Sequence, residues 1–117
     1  MKINNTDLLR YSKQIILKKI GISGQKKIFS TKVLIVGVGG LGCPLALYLA
    51  NTGIGIIGLV DDDKVDISNL NRQILFNTED LGKYKVVQAK KFLNKTNKKI
   101  KINVYKDRLI KKNINKI

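Results

Sequence analysis

One cysteine, Cys43, is all the chain contains, which excludes an internal disulfide framework and any Cys-x-x-Cys metal knuckle within it. No apolar run reaches the 18 residues that mark a membrane-spanning helix. The opening Met1-Lys2-Ile3-Asn4-Asn5-Thr6-Asp7 has no apolar signal core behind its charge. A soluble cytoplasmic protein with no membrane partner is therefore the expectation. Acids are scarce too: eight Asp and Glu stand against 23 Lys and Arg, a net charge of +15. The imbalance is late in the chain. Residues 83–117 hold twelve Lys and Arg108 against Asp107 alone, a net of +12, which leaves +3 for residues 1–82. Such a tail can bind nucleic acid or anionic membrane. What it lacks is arginine and ordered aromatics. The chain has 20 Lys to 3 Arg, and Tyr84, Phe92 and Tyr105 are scattered rather than striped. Nucleic-acid readers usually add Arg forks and stacking platforms. Lys, Ile and Asn make up 48 of the 117 residues, and their shared A/T-rich codons account for the tail as compositional drift. No nucleic-acid partner is expected.

What is present suits one domain of ordinary size, with 44% hydrophobic residues to build its core. Thr6 or Asp7 caps a first helix predicted to run to about Ile20, with Leu8, Tyr11, Ile15 and Ile16 on one face. Gly21 and Gly24 break it, and Gly24 to Ser30 forms a second short helix or turn. Lys32 to Val36 is a strand without polar alternation, so both of its faces are expected to be covered. Leu41 to Asn51 is a helix that tolerates Pro44 in its first turn. Ile54 to Val60 is a second apolar strand, with Gly55 and Gly58 marking close backbone approach. A long polar connection follows, with one helical turn near Leu70–Leu75. Lys85 to Asn94 is a helix with Val86, Ala89 and Leu93 inward. Ile100 to Val104 alternates strictly, which fits an edge strand with one wet face. Leu109 to Ile117 could start another helix. The order β-α-β-α-β with right-handed crossovers gives an α/β, Rossmann-like parallel sheet in strand order 3-2-1, preceded by N-terminal helices. Residues 1–30 form the helical segment and 31–117 half of a nucleotide-binding domain. A fourth strand to pair with the open side of Val33–Val36 is missing, so a truncated or split piece of a longer protein is expected.

Gly37, Gly39 and Gly42 match G-x-G-x-x-G after a strand and at the opening of a helix. Asp61 lies 19 residues past Gly42, at the end of the second strand. Glycines there permit a tight turn and let phosphate approach backbone, and the helix N-terminus supplies free amides. Asp61 suits ribose hydroxyls. A generic NAD-binding half would satisfy all of this. The segment Asp61-Asp62-Asp63, Ser68-Asn69-Leu70-Asn71-Arg72-Gln73 and Gly82-x-x-Lys85 adds two cations and an amide near the turn. Several cations suggest a triphosphate or a leaving pyrophosphate rather than a dinucleotide. Cys43, just past the turn, is a small packing residue. No Gly-Lys-Ser/Thr follows, so this is not a Walker loop.

Together with Arg10-Tyr11-Ser12-Lys13-Gln14-Ile15, Gly40, Leu41 and Gly82-Lys83-Tyr84-Lys85, these residues resemble the MoeB/ThiF family, relatives of the ubiquitin-activating enzymes, in order and spacing over nearly the whole chain. The resemblance implies an ATP-dependent adenylyltransferase that activates the C-terminal glycine carboxylate of a ubiquitin-like sulfur carrier such as MoaD or ThiS, for molybdopterin or thiamine biosynthesis. It implies ATP and Mg2+ at the site and a homodimer. Carried over by position, Gly40 sits at the phosphate turn and Asp61, with Asp63 nearby, on the ribose side. Ser68, Asn69, Arg72, Gln73 and Lys85 form the phosphate clamp. Lys13 reaches the ATP of the partner subunit, where the family pattern has Arg. Arg72, Lys85 and Lys13 would act on the reacting phosphates. The family's Mg-coordinating Asp and zinc-binding cysteines have no counterpart before Ile117, so no metal ligand is assigned within the chain, and little or no adenylation by the 117-residue chain alone is expected. Two readings stay open beside this one: a non-catalytic nucleotide-binding or docking module, and an NAD(P)-binding oxidoreductase half, in which Asn69, Arg72 and Lys85 would have no role.

Overall fold

A computed structural model describes residues 2–117. Three short helices lead in: α1 (Asn5–Arg10), α2 (Ser12–Ile15) and α3 (Gly21–Ser30). They are followed by β1 (Lys32–Val36), α4 (Gly42–Thr52), β2 (Ile56–Val60), α5 (Lys85–Thr96) and β3 (Lys101–Tyr105). The strands form a parallel sheet in the order β1-β2-β3, the predicted 3-2-1 order seen from the other edge. In register, Ile57 pairs with Val33 on one side and Ile102 on the other, and Leu59 with Ile35 and Val104. That row is one face of the sheet, and α4 and α5 pack on it. Ile57, Leu59, Ala46, Ala50, Val86, Ala89 and Leu93 are fully buried there. Each fully buried Leu, Ile or Val contributes roughly 1.5–3 kcal/mol. Gly55 lies against α3, where a Cβ would meet the Phe29 carbonyl oxygen at 1.9 Å.

The opposite face is only partly covered, which corrects the expectation for β1. Leu34 is 44% and Val36 59% exposed. Leu34 and the Tyr105 ring instead close over the bare backbone of Gly58. The first helix also ends earlier than its periodicity suggests. Asn4, not Thr6 or Asp7, is the N-cap, in a reciprocal capping box with Asp7. Tyr11 then breaks the helix (φ −104°, ψ 12°) to bury its ring edge-on against Phe29. Ile16 is left exposed. Ile67–Asn69 and Thr78–Asp80 are single 3-10 turns, and the turn expected near 70–75 starts earlier, closed by the Gln73 amide on Asn69 O at 2.8 Å without lengthening into a helix. Residues 111–116 likewise form turns and not a further helix.

The N-terminal helices are pinned to the far ends of α4 and α5. Buried Asp7 accepts from Lys99 Nζ at 2.7 Å, and Asn97 donates to the Tyr11 hydroxyl and to the Ala50 carbonyl. The Gln14 amide donates to Gln25 and to the Thr52 carbonyl. Among the described residues no helix is long and apolar enough to cross a membrane.

Candidate functional site

The glycine turn grows directly out of β1. The Gly37 amide donates to Val60 O at 2.8 Å, extending the ladder by one step. Gly37 then turns with φ +94°, a conformation that L side chains rarely adopt. Gly42 permits the return, because a Cβ there would lie 2.0 Å from the Gly37 carbonyl oxygen. The turn is tied to the end of β2 by one carboxylate. Asp61 accepts the Val38 amide on Oδ2 and the Asp63 amide on Oδ1, both at 2.8 Å. α4 begins here with no side-chain cap, but the Cys43 amide is spent on Gly39 O and Pro44 has none, so the amides open to an anion are those of the turn, Gly39 to Gly42. Cys43 is fully buried one residue later, and burial pushes its thiol up, which suits packing and not nucleophilic attack.

The connection after β2 folds back over this turn. Asp66 caps the 3-10 turn Ile67–Asn69 in a reciprocal box, accepting from the Ser68 amide and hydroxyl and giving its own amide to Asn69 Oδ1. The Ser68 side-chain and backbone donors hold the Asp66 carboxyl below its ordinary value. The Ser68 hydroxyl donor and the Asn69 Oδ1 acceptor thus shape the loop, and Asn69 keeps its NH2 free among the described residues. That shape carries Arg72 across Gly40. A Cβ on Gly40 would lie 3.5 Å from Arg72 Cδ, and Arg72 Nη1 donates to Ser68 O at 2.9 Å. Gln73 tucks in beside Gly39, 3% exposed, and its Oε1 is buried without a partner.

Lys85 opens α5 on the other flank. It is 6% exposed, its amide donates to Asp63 O, and its Nζ lies 3.8 Å from Asp63 Oδ2. The carboxylate oxygens of Asp61, Asp62 and Asp63 lie within 4.8 Å of one another, a hard donor set of the kind that divalent cations accept. Half of Asp61 is already engaged by backbone. A cleft of about 310 Å³ runs along the C-terminal ends of the three strands, from Gly37 past Asp61–Asp63 to Asp107, Arg108 and Leu109. In open α/β sheets that edge is where ligands bind.

The fold therefore brings Gly37, Gly39, Gly40, Gly42, Asp61, Asp63, Arg72, Gln73 and Lys85 to one end of the sheet. Lys13 is elsewhere. It is exposed on α2, beside Gln14 at the C-terminal end of α4. The eleven residues of α4, about 16 Å of helix, separate it from the glycine turn. Sequence reasoning missed Asp107, Arg108 and Leu109. The available signals were their position just past the third strand and the rarity of Arg in a Lys-rich chain.

Comparison with known proteins agrees with this geometry. A family model described as the ThiF family matches residues 11–117. The chain is 46% identical over 112 residues to adenylyltransferase and sulfurtransferase MOCS3 of Anopheles gambiae, an alignment covering 96% of this chain and 25% of that protein. It is 47% identical over 107 residues to the sulfur carrier protein ThiS adenylyltransferase of Escherichia coli (strain K12), covering 92% of this chain and 43% of that one. Among solved structures, E. coli tRNA N6-threonylcarbamoyladenosine dehydratase TcdA in complex with ATP matches with a TM-score of 0.90 and 28% identity, over 99% of this chain and 47% of that one. The chain thus spans between a quarter and a half of the length of these relatives.

Proposed function

Since the chain belongs to the ThiF family, we propose that it is the nucleotide-holding portion of an ATP-dependent adenylyltransferase whose acceptor is the C-terminal glycine carboxylate of a ubiquitin-like sulfur carrier. Residues 1–30 are its N-terminal helical segment and 31–117 the first half of its nucleotide-binding domain. The observation that carries the reading is the packing of Arg72 over Gly40 together with buried Lys85 beside Asp63, at a glycine turn that opens an uncapped helix. A dinucleotide half has no use for that pair of cations. The names of the adenylyltransferase relatives and the ATP bound by TcdA support it.

The chemistry needs positioning more than proton transfer. A carboxylate oxygen attacks the α-phosphorus, the bond from that phosphorus to the bridging oxygen breaks, and pyrophosphate leaves with the electron pair. No proton moves, so no general base is required. Arg72 and Lys85 neutralise charge on the leaving group, and the turn's amides orient the α-phosphate. Asp61 faces the ribose hydroxyls with the lone pairs its two backbone donors leave free. Mg2+, when bound, supplies further charge neutralisation, and Asp62 and Asp63 offer the freest oxygens for it. The protein acts as a homodimer in which Lys13, remote from its own turn, serves the partner's nucleotide.

Calorimetric titration with ATP and with an adenosine acyl-sulfamate tests this, since the second ligand lacks β and γ phosphates. Arg72→Ala is expected to weaken ATP at least tenfold and the sulfamate far less. Equal losses for both ligands would contradict the assignment.

A further inference from the structure

A second cleft, of about 320 Å³, lies at the opposite end of the sheet. Its walls come from distant parts of the sequence. Thr6 and Arg10 on α1 form one, and Lys95 to Lys99, where α5 closes, form the other. Lys101 opens β3, so this cleft precedes the strand and the nucleotide cleft follows it, the strand's five residues or roughly 16 Å away. Both walls are fixed in place. Buried Asn97 donates to the Tyr11 hydroxyl and to Ala50 O, and its Oδ1 accepts the Lys99 amide at 3.3 Å. Arg10 Nη1 donates to Thr96 O at 3.1 Å, and the rest of the guanidinium has no partner among the described residues.

The cleft carries positive charge that its own lining does not cancel. Of the chain's eight acids Asp7 alone lines it, and Asp7 is buried and paired with Lys99 at 2.7 Å. Arg10, Lys95 and Lys98 are exposed, and among the described residues none of them has an ion-pair partner. The carbonyl end of α5 attracts cations, but a helix terminus carries only about half an elementary charge. Three cations exceed what it can balance. We propose that this cleft is a second anion site that takes a phosphate group, held by the Arg10 guanidinium and the Lys95 and Lys98 ammonium groups. A carboxylate brings one charge, whereas a phosphate monoester brings nearly two and three acceptor oxygens, a match for a guanidinium fork and two ammonium groups. The volume is at the small end of ligand pockets, which suits a phosphate ester or a short inorganic polyphosphate. A bound anion ties α1 to the connection between α5 and β3. The site stands apart from the adenylation reading and does not need it.

Titration of the isotope-labelled full chain, followed through its amide chemical shifts, locates the ligand. The probes are inorganic tripolyphosphate and glycerophosphate, one a polyphosphate and the other a monoester. Saturable shifts at Arg10 and at Thr96 to Lys99 are expected with at least one of them, and the tighter binder names the source. The nucleotide turn reports through Gly39 to Gly42, so the two sites are read separately. Lys95→Ala combined with Lys98→Ala, both exposed side chains, is expected to weaken binding about tenfold. Lys111→Ala combined with Lys112→Ala removes the same charge elsewhere on the surface and is expected to leave affinity within about twofold. Equal losses in the two pairs would overturn the proposal, since the anion would then be following net charge alone. So would shifts confined to Gly39 to Gly42, or shifts at Arg10 that climb without saturating.

Discussion

Gly42 tolerates no side chain, because its Cβ position lies 2.0 Å from the Gly37 carbonyl oxygen. Gly42→Ala is expected to cost more than about 2 kcal/mol in denaturant unfolding, and a variant as stable as the parent would mean the turn has another shape. Asp7 makes the opposite kind of contribution, at the far end of the molecule. Burial pushes its carboxyl up, but the Lys99 ammonium at 2.7 Å and the Asn4 amide outweigh it, so the group sits below its ordinary value of 3.8. A depressed acid stabilises the fold above its unfolded pKa and loses that contribution as pH falls through the lowered folded value. Asp7→Asn is expected to cost about 1–3 kcal/mol at pH 7, with the gap to the parent closing on acidification. A gap that widens in acid would contradict the pairing. At this scale the glycine turn and Asp61 were legible because spacing alone sets their geometry. The part that Ser68 and Asn69 play in the Asp66 capping box was not, since it depends on a 3-10 turn that no periodicity announces. Nor was Arg108, which joins the site only once β3 lies beside β2.

The elements were legible where burial and periodicity agree. In α5, Val86, Ala89 and Leu93 fall on one face and are fully buried, as their spacing predicts. Leu93→Ala is expected to lower stability by about 2–5 kcal/mol, read from urea melts. A loss below 1 kcal/mol would show that α5 is not seated on the sheet. Where a side chain competes with the helix, periodicity misled. Tyr11 leaves the helical path to reach Phe29 and Asn97. Asn113 takes the Arg108 carbonyl and the Ile110 amide for itself, so residues past Leu109 turn instead of coiling. β1 misled for another reason. Its apolar run is the pattern of a strand covered on both faces, while α4 and α5 cover only one.

Across the whole molecule, part of the apolar surface left open falls in two groups. Leu41, Leu45 and Tyr48 follow one face of α4 at 88%, 48% and 70% exposure, and Leu34 and Val36 stand bare on the sheet. Self-association through the α4 stripe is expected. Light scattering should give a dimer that Leu45→Glu with Tyr48→Glu converts to monomer, and a parent that is monomeric at every concentration would exclude the homodimer. Lys13, a helix length from its own glycine turn, fits such an arrangement. The most direct test of the nucleotide assignment is competition between ATP and NAD for the 117-residue chain, followed by equilibrium binding. Saturable ATP binding that excess NAD does not displace, and that Lys85→Ala weakens at least tenfold, is the expected result. Tight NAD binding that ATP leaves untouched would contradict it.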